Sequence, residues 1–372
     1  MELLKDELYK IFSKKLIYAA IIILIIYSLF TMHEVGDLHI VKGAYNKYFE
    51  GYEGKIDSEK IERAKKFGKD IENMDFRENR EEFFGKSLYH IEVLNIENHK
   101  ENYSNWISKS EESLSKLEPN SYKYKVEKLE YETLKKTGYK DSIYYTAGWD
   151  EILESNSYIV FLFIGILIIL GVSPVFSEEY NSKMDNIILS SRHGKGKLIL
   201  SKITAVLIYC IFVVLIFSLF ELITYGTLYG FKGYNVPLKN LQRLYDCTPF
   251  DMPVIKFYLI QRIFILLGSF AFGLFVLIMS SLCKNYLVPA FISGMVFLVP
   301  YVSDTFNFPV RKIFAVTYTD LIRLDGFGQG IDIINFLGNP MLYHNFLLIF
   351  IPVLYAVSIS LIYFLSIRHQ VS

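Results

Sequence analysis

Six stretches of the chain, at about 16–32, 157–177, 198–224, 257–282, 286–303 and 345–367, are almost unbroken apolar runs. Each is close to the roughly 20 residues that a helix needs to cross a bilayer core. A soluble fold of 372 residues has no place for so many oily helices, and the 52% hydrophobic and 16% aromatic content agrees. The sequence therefore predicts an all-α polytopic membrane protein with six transmembrane helices.

Charge sets the expected orientation. Lys5, Lys10, Lys14 and Lys15, then Lys183, Arg192, Lys195, Lys197 and Lys202, then Lys284, then Arg368 all fall on one side of a six-span path. Lys and Arg in short loops favour the cytoplasm, so both termini, including the tail 368–372, are expected there, in a plasma membrane. The other side receives the segment 33–156 and the loops 225–256 and 304–344. Lys14 and Lys15 lead into the first run with no small-residue cleavage site after it, which reads as a retained signal anchor.

Outside the runs, residues 1–15 place Leu4, Leu8, Ile11 and Phe12 at helical spacing with charges elsewhere, as an interfacial helix does. Segment 33–156 is rich in Lys, Glu, Asn and Tyr. Its apolar positions Ile61, Ala64, Phe67 and Ile71, Tyr103, Trp106, Ile107, Leu114 and Leu117, and Val126, Leu129 and Leu134 predict a large helical extracytoplasmic domain with thin apolar faces. Pro119-Asn120-Ser121 offers a turn, and Thr137-Gly138-Tyr139 a stop. The loop 304–344 is broken by Pro309, Gly326, Gly328, Gly330 and Pro340, and is expected on the outer surface or partly re-entrant.

Two charges lie in the third run. Lys202, near its start, and Glu221, near its end, are each close enough to an interface to snorkel, and Glu221 has the further option of pairing with Arg262 on the next run. Ser269 with Gly273, and Ala290 with Gly294, are small residues at a spacing that lets helices approach.

Several chemistries lack their residues. No Gly-rich loop ends in Gly-Lys-Ser/Thr, so the chain carries no ATPase motif, and "RHGKGK" at 192–197 reads as a flexible basic turn. Cys210, Cys247 and Cys283 match no metal spacing, and no histidine sits inside an apolar run to complete an intramembrane metal site. With 39 basic and 39 acidic side chains there is no net field to attract nucleic acid.

The polar stretch "SEEYNSKMDNIILSSRHGKGKLILSKI", 177–203, separates the second and third runs. Phe176, Glu178, Glu179, Asp185, Leu189, Ser190, Arg192, Gly194 and Lys202 resemble, in type and order, the first cytoplasmic loop of type-2 ATP-binding-cassette (ABC) export permeases. Glu7 and Lys10 likewise resemble the Glu-x-x-Lys pattern of that family's N-terminal elbow helix. Lys183 stands where many members carry Gly or Thr, and Ser191 where many carry Pro. The resemblance implies a permease subunit that binds no cofactor of its own. It would work with a nucleotide-binding ATPase subunit carrying ATP and Mg, and with a second permease subunit, the same or paralogous, among membrane lipid. Loop 178–197 would be the coupling element, with Glu178, Glu179, Asp185, Ser190, Arg192 and Lys202 as coupling residues, and the cargo an amphiphilic, lipid-like or peptide substrate moved outward. A non-transporting membrane sensor or receptor for an extracellular peptide or envelope component is the alternative, suggested by the size of segment 33–156.

Overall fold

Apolar periodicity at the N-terminus resolves into two helices, α1 (Glu2–Phe12) and α2 (Lys15–Glu34), separated by a short break at Ser13 and Lys14. The structure, a computed structural model, describes residues 2–34, 43, 47–75, 77–155, 160–184, 196–242, 245–305 and 316–368. After α2 come β1 (Gly54–Lys55), α3 (Ser58–Glu72), α4 (Arg80–Lys116), α5 (Tyr122–Thr137), β2 (Ser142–Ile143) and α6 (Ala147–Ser155). The oily half follows as α7 (Phe161–Val172), α8 (Pro174–Asn181), α9 (Gly196–Tyr229), α10 (Val254–Leu282), α11 (Leu287–Thr305), α12 (Tyr318–Arg323), β3 (Ile333–Phe336), β4 (Asn339–Leu342) and α13 (Tyr343–Arg368).

Four helical stretches are long and apolar enough to cross a membrane: Phe161–Asn181, Gly196–Tyr229, Val254–Leu282 and Tyr343–Ile367. The apolar parts at Lys15–Tyr27 and Leu287–Ser303 are shorter. The chain is thus a mostly helical membrane protein. Among the described residues, strands are confined to two antiparallel pairs, β1 with β2 and β3 with β4. The second pair occupies part of loop 304–344, where Leu337 and Gly338 both take positive φ, 51° and 83°, to make a tight hairpin turn.

Helix α10 is the hub of the main core, with buried residues along its length from Val254 to Ser281 and an exposed face at Leu259 and Ile263. Close approach depends on two of its glycines: a Cβ at Gly268 would stand 2.3 Å from the Leu321 carbonyl of α12, and one at Gly273 would stand 2.8 Å from Val206 of α9. Gly273 therefore does pack a helix pair, whereas Gly294 faces open space. Segment 316–327 turns into the bundle, burying Leu321, Ile322 and Phe327, with the Phe327 ring stacked 5.8 Å from Phe257.

A second, thinner core joins Tyr48, Phe49, Ala64, Phe67, Tyr89, Val93, Ile96, Ile143 and Tyr145. The turn at Asn120 (φ 75°), the Ser121 N-cap and the Gly138 C-cap (φ 72°) bound α5. The two cores are stitched by hydrogen bonds, Tyr145 to the Tyr229 carbonyl (2.6 Å) and Lys140 to the Leu241 carbonyl (2.6 Å). Trp149, Ile152 and Leu153 of α6 belong to the main core.

Candidate functional site

At the foot of the bundle, α1, α8 and the start of α9 meet around one ammonium. Lys202 is completely buried, and its Nζ donates to Glu7 Oε2 (3.0 Å), Glu179 Oε1 (2.7 Å) and the Val175 carbonyl (3.0 Å). Three N–H groups thus meet three acceptors, with the Phe176 ring 4.9 Å away. Snorkelling is overturned here: the carboxylates of α1 and α8 come to the lysine, so it has no need to reach for water.

Lys10 closes the cluster, its Nζ lying 2.7 Å from Glu7 Oε1 and 2.6 Å from Glu179 Oε1. Burial pulls the Lys10 ammonium down, but Glu179 and then Glu7 outweigh it and hold it above its ordinary value. Two lysines and two glutamates cancel each other's charge, the condition under which buried ions are tolerable. The hydrophobic face of α1 holds it in place, with Ile11 buried and Phe12 edge-on to Tyr209 and Phe212.

Pro174 shapes the approach to this cluster. Lacking an N–H, it starts α8 as a new helix in line with α7, which leaves first-turn amides to be satisfied elsewhere. Ser280 of α10 supplies the acceptor: its Oγ receives the Phe176 and Ser177 amides (3.0 and 3.2 Å) and donates to the Ser173 carbonyl (2.6 Å). The break is therefore fixed, and Glu179 is held at a set height above Lys202.

Of the residues expected to couple, Glu179 and Lys202 meet in this cluster. Glu178 is exposed beside it and pairs with Lys14 at 2.8 Å. Asp185, Ser190 and Arg192 lie outside the described residues.

A second ionic cluster sits further along α9. Glu221 is fully buried and lies 2.6 Å from Arg262 Nη1, so it does not snorkel; Ser155 Oγ also donates to it. Arg262 Nη2 reaches the Ile152 carbonyl (3.1 Å) and Gln261 Nε2 the Leu153 carbonyl (3.2 Å), so α10 satisfies carbonyls that the end of α6 leaves free. Lys202 and Glu221 are 19 residues apart, about 28 Å at 1.5 Å per residue, which is close to the hydrocarbon thickness of a bilayer. The two clusters therefore mark the two ends of a membrane-thick stretch of α9.

The chain matches no protein-family model, no characterised protein and no solved structure. Function has to be read from geometry. Among the described residues no group of three or more His, Cys, Asp or Glu side chains is placed to hold a metal ion. Sequence reasoning missed Ser280, Ser155 and Gln261, each an unremarkable polar residue in its helix. The one available signal was Pro174, whose helix break demands an acceptor from a neighbour.

Proposed function

We propose that the chain is the membrane-spanning permease subunit of an ABC exporter, driven by a separate nucleotide-binding subunit that hydrolyses ATP. In this reading the six apolar helices all cross a plasma membrane, both termini face the cytoplasm, and segment 33–156 lies outside. The observation that carries the proposal is the Lys202 cluster: Glu179 binds Lys202 and Lys10 at once, so α1, the end of α8 and the start of α9 are joined to one another. Helices anchored to one another in this way pass a partner's push into the bundle instead of absorbing it. The chain's own role would be mechanical, with Lys202 and Lys10 holding position while ATP chemistry proceeds on the partner. The cargo remains an amphiphilic, lipid-like or peptide molecule.

The test is affinity purification of the intact chain in mild detergent, with ATPase assay and identification of what comes with it. Charge reversals are made at Asp185→Arg and at the exposed Glu178→Arg, leaving the buried cluster intact. The expected result is an ATPase subunit recovered with the intact chain and lost from the reversals. Failure to recover any nucleotide-binding subunit from a preserved membrane complex sinks the permease reading and favours the sensor.

A further inference from the structure

The segment that the permease reading leaves idle contains a cavity of about 320 Å³, formed where α4 and α5 meet the residues around Asp246 and Ile331. That volume falls at the lower end of small-ligand pockets. Three of its walls are aromatic. Tyr103 and Tyr139 stand with ring centroids 5.4 Å apart, and Trp106 is braced from behind by Tyr131, stacked at 6.4 Å. An indole that is only partly buried on a helix as polar as α4 contributes little to any core, so its rigid bracing points to a face kept for contact.

The charges facing the cavity are unbalanced. Glu130 lines it, partly buried, and among the described residues has neither a hydrogen bond nor an ion pair. Burial, and then the like charge of Glu127, raises the Glu130 carboxyl above its ordinary value, a strain that a cation in the pocket would relieve. Asp246 adds a second carboxylate, touched by His99 at 3.0 Å. The one lysine in the lining, Lys140, is already committed to Glu92 at 2.5 Å and to the Leu241 carbonyl at 2.6 Å. An anion would find carboxylates and no free donor from that lysine. A cation finds three aromatic side chains and an unpaired carboxylate.

We propose that this cavity binds an organic ammonium group, seated against Trp106, Tyr103 and Tyr139 with Glu130 as its counter-charge. Two sources carry that chemistry, a free alkylammonium and a lysine side chain of a peptide, and both use the same site. The inference does not rest on the permease reading, which concerns the opposite end of α9 and fails in a different experiment.

The test uses the full chain in detergent with choline chloride as one probe and the tripeptide Gly-Lys-Gly as the other, against sodium chloride and Gly-norleucine-Gly as controls. Two readouts are built in. Trp106 is one of two tryptophans, and the other, Trp149, is buried and donates to the Phe231 carbonyl, so a ligand-dependent fluorescence change reports on the pocket. Cys247 lines the cavity and is exposed, Cys210 is buried, and the partly exposed Cys283 is replaced by Ser, so slower maleimide labelling at Cys247 reports occupancy even when Trp106 is replaced. Saturable protection by choline, by the lysine peptide or by both is expected, with Glu130→Gln and Trp106→Leu each weakening it roughly tenfold or more. Protection by one probe alone identifies the source. Thermal unfolding of each variant shows that it remains folded, and Glu130→Gln, which breaks no contact, keeps the test open if Trp106→Leu does not. Absence of saturable protection by either probe, or protection that survives in folded Glu130→Gln, overturns the proposal.

Discussion

Lys202 and Lys140 are both lysines removed from water and set against two acidic residues, yet their surroundings differ in closure. Around Lys202 the charges balance, each ammonium proton has an acceptor, and aromatic and aliphatic side chains fill the remaining space. Around Lys140, Glu92 is in contact, but Asp246 Oδ1 stands 3.8 Å from the ammonium, beyond hydrogen-bond reach, and a cavity opens alongside. A closed ionic cluster fixes helices to one another. An open one with surplus negative charge is equipped to accept something from outside. The same residue types thus serve attachment in one region and recognition in the other, and the difference lies in whether the last partner is supplied by the chain.

The sharpest way to break this contrast is to remove each lysine in turn. Lys202→Met leaves Glu7 and Glu179 buried with Lys10 alone, and should cost about 3–5 kcal/mol in denaturant unfolding of the detergent-solubilised chain. Lys140→Met should cost less, about 1–3 kcal/mol, because water entering the cavity can solvate the carboxylates left behind. Equal losses in the two variants would mean that the second site is as closed as the first.

The Glu221–Arg262 pair extends the comparison to the other end of α9. Here too the chain supplies the partners, so a double-mutant cycle of Glu221→Gln and Arg262→Gln should show coupling of about 1–3 kcal/mol, with the double variant more stable than the sum of the single changes predicts. A coupling near zero would show that the Ser155 hydroxyl and the Ile152 carbonyl hold the two side chains independently, and the pair would lose its status as a closed site.

The sequence made some of this legible and hid the rest for definable reasons. Long oily runs announce helices because a single segment in lipid can satisfy its own backbone polar groups only as a helix, so α2, α7, α9, α10, α11 and α13 follow from hydropathy alone. Glu221 and Arg262 were also readable as a pair, since a charge within an apolar run must find a partner or an interface. The partners of Lys202 were not readable from spacing: Glu7 lies 195 residues away, and only the packing of α1 beneath the bundle brings it near. The β3–β4 hairpin escaped because Pro340 read as a breaker, when it sits in an edge strand just after the turn at Leu337 and Gly338. The cavity escaped for a similar reason. Tyr103, Trp106 and Leu134 share the helical spacing of core positions, and nothing in a linear pattern distinguishes a residue facing a core from one facing an empty space.

The weakest contacts in the comparison are the surface pairs of the thin second core, and one of them carries a pH dependence whose sign can be worked out. Lys86 joins α3 to α4 through Asp70 at 2.8 Å, with Glu82 at 2.9 Å on its own helix. The Lys86 hydrogen bond holds the Asp70 carboxyl below its ordinary value near 3.8. With the folded value the lower of the two, the unfolded chain binds the extra proton. The stabilisation is therefore complete above the unfolded pKa and fades as pH falls through the folded one. The thermal midpoint of the intact chain should accordingly drop between pH 6 and pH 3 by slightly more than that of Asp70→Asn, which lacks the titrating group. Because the pair is partly open to solvent, the difference should shrink further in high salt. A salt-insensitive difference would place Asp70 and Lys86 among the closed contacts, and the second core would then be firmer than its few apolar residues suggest.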